Sequence, residues 1–138
     1  MKLLLDTNIV VDILSRREGY MDSLKVLKHC EIKKAAGYIS AITVTDVTYI
    51  LRKHIRADRV REALLTLLSI VDVADVLKSD IRGAFTCGMK DFEDAVQAIC
   101  ARRIGADYIV TRNLKDFDAS PVRAISPSGV LEVLGTCG

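Results

Sequence analysis

The chain is poor in the residues that would point away from a compact enzyme-sized domain. Only two of its 138 residues are proline, and half are apolar, so a disordered chain is excluded. It has two histidines and no CxxC pair, which argues against a zinc site. The cysteines Cys30, Cys87, Cys100 and Cys137 are scattered and read as reduced thiols, as in a cytoplasmic protein. Charge of one sign is also missing. At a formal +2, bulk electrostatics specify neither nucleic acid nor membrane as a partner, and local patterning must decide. The apolar run at Leu3–Leu5 is too short for a signal peptide or a membrane span. A single domain covering residues 1–138 is expected.

What is present is an alternation of short apolar runs and helical periodicities. Strands are expected at Lys2–Leu5, Gly37–Ile39, Ile70–Val73, Tyr108–Val110 and Val122–Ile125. Between them the spacing predicts helices over Ile9–Leu14, Asp22–Ala35, Ala41–Ile55, Arg59–Leu68, Val76–Phe85 and Asp91–Ile104, with a last one at Val130–Leu134. In the second helix Leu24, Leu27 and Ile32 are the candidate buried residues. In the helix that follows Asp91, apolar residues at 92, 95, 96, 99, 100 and 104 mark one buried face, and Gly105 ends it. This order implies βαβ units, hence a parallel sheet with helices on both faces and all strand C-termini on one edge.

Acidic and amide side chains fall at that edge. Asp6 follows the first strand, Asp46 lies in the helix after Ser40, and Asp94 opens a later helix. Asn113 and Asp116 follow the fourth strand. Taken singly, each has a structural explanation. Asp91 and Asp94 resemble a helix cap with an acid in the first turn, Asp6 is another candidate cap, and Asn113 and Asp116 are ordinary loop residues. Asp46 sits among Ile42, Val44, Val47 and Ile50, where an acid must be paired or serve chemistry. Together they form a carboxylate set that like-charge repulsion would keep from ionising fully. A hard cation such as Mg²⁺ or Mn²⁺ relieves that conflict and can activate water against a phosphodiester. The basic run Arg52, Lys53 and Arg56, with Arg112, is either a solvated face or a rim that holds phosphates.

Three segments carry a family resemblance: Leu4–Asn8, Ile39–Asp46, and Asp91–Ala95 through Ile109–Phe117. The sequence resembles PIN-domain ribonucleases, especially the VapC-like toxins of toxin–antitoxin pairs. The resemblance implies a three-layer α/β/α sandwich with a central parallel sheet and Rossmann-like topology. It implies an endoribonuclease that uses Mg²⁺ or Mn²⁺, an RNA substrate, a cognate antitoxin and a homodimer. By position Asp6, Asp46 and Asp94 would be the core acids, completed by Asn113 and Asp116, with Asp116 among the catalytic groups. Thr7, Thr111 and Ser40 would support them. The second acid is most often Glu in the family. Asp46 is one methylene shorter, which implies reach through water. Two other readings remain open: a catalytically inactive scaffold that binds RNA or protein, and a phospho-accepting signalling domain. The latter lacks the lysine it needs after the last strand.

Overall fold

The computed structural model describes residues 1–136, so Cys137 lies outside the described residues. Five strands form one sheet: β1 (Lys2–Leu5), β2 (Ala36–Ser40), β3 (Asp72–Ala74), β4 (Tyr108–Val110) and β5 (Ala124–Ile125). All pairings are parallel, in the order β3-β2-β1-β4-β5. The helices are α1 (Thr7–Ser15), α2 (Tyr20–Glu31), α3 (Ala41–Leu51), α4 (Ala57–Leu68), α5 (Lys78–Ala84), α6 (Phe92–Arg103) and α7 (Pro127–Thr136). Chain order reverses beside β1, where β2 lies on one side and β4 on the other. The crevice at the C-terminal ends of β1 and β4 is therefore a topological switch point.

Side chains alternate across the sheet and build two cores. Leu3, Leu5, Ile39 and Val110 face a core shared with α1, α2, α3, α4 and α7. Leu4 and Ile109 face the opposite way, onto α6. The result is the expected three-layer α/β/α sandwich. α6 is buried around most of its circumference, with every residue from Ala95 to Ala101 inside, as expected of a helix covered on several sides. Asp80 fastens α5 to it. The Asp80 carboxylate, 1% exposed, accepts from Arg103 Nε at 3.0 and 3.1 Å and from the Leu77 N–H at 2.9 Å.

Several boundaries and faces differ from the periodicity. α2 buries Ser23, Val26, Leu27 and Cys30, while Leu24 and Ile32 are 38% and 53% exposed. Cys30 lies close to Gly37 of β2, the rest of the face packs mainly on α1 and α7, and 23, 26, 27 and 30 follow the helical repeat better. α3 stops at Leu51, after which His54 and Ile55 both donate their N–H to the Leu51 carbonyl in a tightened turn. α4 begins at Ala57, two residues before the expected start, and Asp58 lies in its first turn. α7 extends to Thr136, and α1 starts directly after Asp6. Phe92 is 41% exposed and stacks on Phe85, with ring centroids 4.6 Å apart, instead of entering the core. Gly105 has φ 73° and ends α6 as its sequence position implied. Cys30, Cys87 and Cys100 are free thiols. No helix among the described residues is long and apolar enough to cross a membrane.

β2 packs closely under α2 because Gly37 has no side chain. A Cβ there would stand 2.8 Å from Cys30 Sγ and 2.9 Å from Val71 Cγ1. Gly37→Ala is expected to lower the unfolding free energy by about 1–3 kcal/mol through overpacking. Urea denaturation followed by circular dichroism measures this; an unchanged midpoint would contradict it.

Candidate active site

The recess at the switch point is organised around the end of β1. β1 ends in Leu3-Leu4-Leu5, all fully buried, so Asp6 emerges from the sheet with only 2% of its surface exposed. Its N–H is held by the Val110 carbonyl at 3.0 Å. Its carboxylate takes two side-chain hydrogen bonds. Gln97 Nε2 donates to one oxygen at 3.1 Å, and Thr111 Oγ1 donates to the other at 2.9 Å. Three elements thus meet on one carboxylate: β1 through Asp6, α6 through Gln97 and the end of β4 through Thr111. Asp6 holds the cap position of α1, but its side chain makes no capping hydrogen bond there.

Asp46 from α3 and Glu93 and Asp94 from α6 line the same recess of about 250 Å³, with Thr7 and Asn8 from α1. Tyr49, Ile50 and Gln97 complete the wall. Ser40 supports it from behind. Its Oγ accepts from the Thr43 N–H at 3.1 Å and caps α3, and Thr43 Oγ1 in turn lies 2.9 Å from Thr7 Oγ1. Asp91 Oδ1 accepts from the Asp94 N–H at 2.9 Å, which makes it the cap that sets the start of α6.

The other sequence candidates stand further out. Asn113 is exposed, and its N–H donates to Thr111 Oγ1 at 3.0 Å. Asp116 is exposed on a 3₁₀ turn, Leu114–Phe117, and lines a neighbouring depression with Asp91 and Lys90. It remains near enough to act electrostatically on Asp94. Arg112 is not a free cation at the rim. Its Nε lies 2.5 Å from Asp12 Oδ2 and its Nη2 3.1 Å from Asp12 Oδ1. Arg52 lines an apolar groove between α3 and α4, and Arg56 pairs with Asp58 at 3.2 Å. Lys53 stands over the Tyr49 ring, 4.6 Å from its centroid.

Residue types alone did not single out Gln97, Glu93, Tyr49 or Asp12. Gln97 and Asp12 carried a signal: each is a polar residue inside an apolar helical run, the pattern that drew attention to Asp46.

The electrostatics match a crowded set of acids. Burial pushes the Asp94 carboxyl up to about 7, reinforced by Asp91, Asp6, Asp116 and Glu93. Glu93 is raised first by Asp46 and then by burial, and Asp46 is raised by burial. Asp6 is raised by burial despite opposing hydrogen bonds from Gln97 and Thr111. Gln97 Oε1 is buried with no partner, a desolvation cost carried by the residue that orients Asp6. Among the described residues, no three His, Cys, Asp or Glu side chains converge closely enough to grip one ion. The oxygen-only donor set fits a hydrated Mg²⁺ or Mn²⁺ instead, since such ions keep several waters and bind through one or two carboxylates.

A family model for the PIN domain matches residues 2–115. The chain belongs to the PIN-domain family. The PIN fold is also seen in distant solved structures. A chain of the VapBC2 complex from Rickettsia felis, bound to a DNA fragment from its promoter, superposes with a TM-score of 0.71 at 21% identity, covering 91% of this chain and 98% of that one. A chain of DNA-bound VapBC from Salmonella typhimurium gives 0.72 at 20% identity, covering 92% and 98%. Mycobacterium tuberculosis VapC20, described as a sarcin–ricin loop cleaving toxin, gives 0.63 at 13% identity, covering 78% and 86%. No curated protein sequence matches significantly.

Two outcomes follow from this PIN site. A carboxyl whose pKa is raised on folding binds more protons in the folded state than in the unfolded one. Without divalent cations, stability should therefore fall as pH rises from the unfolded Asp94 value near 3.8 through about 7. Asp94→Asn should lessen that fall, read as denaturation midpoints at pH 5 and pH 8; an equal fall in both proteins would refute the assignment. Arg112→Ala leaves the Asp12 carboxylate, 1% exposed, with only Arg17 at 3.9 Å. Its expected cost is about 1–3 kcal/mol, below the figure for a fully buried pair because Arg112 is partly solvated. A double-mutant cycle with Asp12→Ala checks it, and strict additivity would show that the pair is not coupled.

Proposed function

We propose that this chain folds as one PIN domain and is a metal-dependent endoribonuclease, the toxin of a toxin–antitoxin pair. The observation that carries this reading is the convergence of Asp6, Asp46 and Asp94 on one recess at the switch point, with the Asp94 carboxyl lifted to about 7. A carboxyl raised by burial and by neighbouring acids is one that a bound cation would return to its ionised form, which is why the crowding supports a cation at this recess. Gln97 and Thr111 fix the orientation of the Asp6 carboxylate, so it enters the reaction without a reorganisation cost. Asp46 and Glu93 complete the negative wall. Asp116 acts on Asp94 through its charge and Asn113 braces Thr111, so both belong to the supporting ring. A bound Mg²⁺ or Mn²⁺ supplies Lewis acidity and offsets the repulsion among these carboxylates. The substrate is RNA, the partner a cognate antitoxin and the assembly a homodimer. Support for the RNA substrate and the antitoxin comes from the PIN family match, from the fold shared with a VapBC chain, and from VapC20, which is named for cleaving the sarcin–ricin loop.

A second reading has its own observation. Asp46 is shorter than the family's usual Glu, and no three acids among the described residues meet at one ion position. That favours a scaffold that binds RNA or a protein without turnover. Cleavage of RNA with Mg²⁺ or Mn²⁺ separates the two. Asp6→Asn and Asp94→Asn are each expected to slow cleavage by about 10²–10⁴-fold. Undiminished cleavage by the folded double variant would sink the nuclease reading, and binding without turnover by the wild type would establish the scaffold.

A further inference from the structure

An acidic recess repels the polyanion it is proposed to cut. Asp6, Asp46, Glu93 and Asp94 all line it. The basic residues expected at its rim are in part engaged elsewhere, Arg112 with Asp12 and Arg56 with Asp58. A bound cation would offset part of that repulsion, but a cation alone does not fix where a base sits.

Tyr49 has the placement for that role. It lines the recess three residues after Asp46, one turn along the same face of α3. Its side chain is not buried in the core. It remains 66% exposed, a large aromatic surface left in water beside the acids. Lys53, exposed in the turn after α3, stands over this ring with its ammonium 4.6 Å from the centroid, a cation–π distance. Ring and cation are thus presented together at the lip of the recess. A single-stranded RNA offers the complementary pair, a base with a π-face and a phosphate one bond system away. Stacking on an aromatic side chain is a usual way to hold an unpaired base.

We propose that Tyr49 stacks one unpaired base of a single-stranded RNA next to the scissile bond, while Lys53 receives the adjoining phosphate. This rests on the nuclease reading and deepens it, because it makes Tyr49 a residue that determines where the strand seats. A protein segment could also cover an exposed tyrosine, but the neighbouring ammonium favours an anionic ligand.

The test uses short single-stranded RNAs in Mg²⁺ or Mn²⁺, identical except for one abasic nucleotide moved along the strand. For the wild type, one abasic position beside the cleaved bond should lower kcat/KM by roughly 5- to 100-fold. Tyr49→Ala should show a comparable loss on intact RNA and no further loss with the abasic strand. Tyr49→Phe should restore the wild-type pattern, because the ring is kept. Lys53→Ala should raise KM and flatten its dependence on salt. If Tyr49→Ala remains as sensitive to the abasic position as the wild type, the assignment to stacking is overturned. It is equally overturned if Tyr49→Ala changes the sedimentation behaviour and leaves RNA kinetics unaltered, which would make Tyr49 a protein-contact residue. Either result leaves the nuclease reading standing. A wild type that cleaves none of the strands removes both.

Discussion

The Asp6 carboxylate is the point on which the rest of the site depends. Burial in a sheet terminus costs an ionised acid several kcal/mol unless it is compensated, and here the compensation comes from two distant parts of the chain. Gln97 and Thr111 each give it one hydrogen bond, from 91 and 105 residues away in sequence. These bonds tie α6 and the end of β4 to the end of β1. Burial nevertheless outweighs the hydrogen bonds, since the pKa of Asp6 remains raised. The fold thus holds a carboxylate in an orientation useful for chemistry at an electrostatic cost.

That cost spreads to the neighbours. Asp94 is reached by the charges of Asp6, Asp91, Glu93 and Asp116, and Glu93 by that of Asp46. Positive charge brought to such a set of acids relieves their mutual repulsion. The Asp12–Arg112 and Asp80–Arg103 pairs each bury an acid against an arginine at the borders of α1 and α6. They show the alternative fate of an acid in this fold. An arginine partner makes it structural, whereas the acids of the recess have none.

Much of the fold was legible because strand and helix leave different periods in the sequence. β1 and β4 appear as short apolar runs of the predicted extent, and α6 is bracketed by its cap Asp91 and by Gly105. The faces were less legible. On α2, Leu24 and Ile32 are outside while Ser23 and Cys30 are inside, since the face that turns inward is set by packing against α1 and α7. On α6, Phe92 turned outward to Phe85, because a helix buried on most sides has little room for a large ring at its first turn. The site was partly legible. Acids at a strand end and a helix start pointed to Asp6 and Asp94, and an acid among apolar helical residues pointed to Asp46, but nothing in a list of residue types separated Arg112 from the other basic residues.

The sequence by itself determined the alternating elements, the parallel sheet they imply and the acids gathered at its C-terminal edge. These follow from local periodicity and from the chirality of crossovers, which act on each stretch independently of its neighbours. Only the tertiary structure decided which polar groups pair. It joined Gln97 and Thr111 to Asp6, set Arg112 on Asp12 and left Tyr49 at the mouth of the recess. Hydrogen bonds and ion pairs act over a few ångströms between groups up to about a hundred residues apart in the chain, and no local pattern encodes that distance.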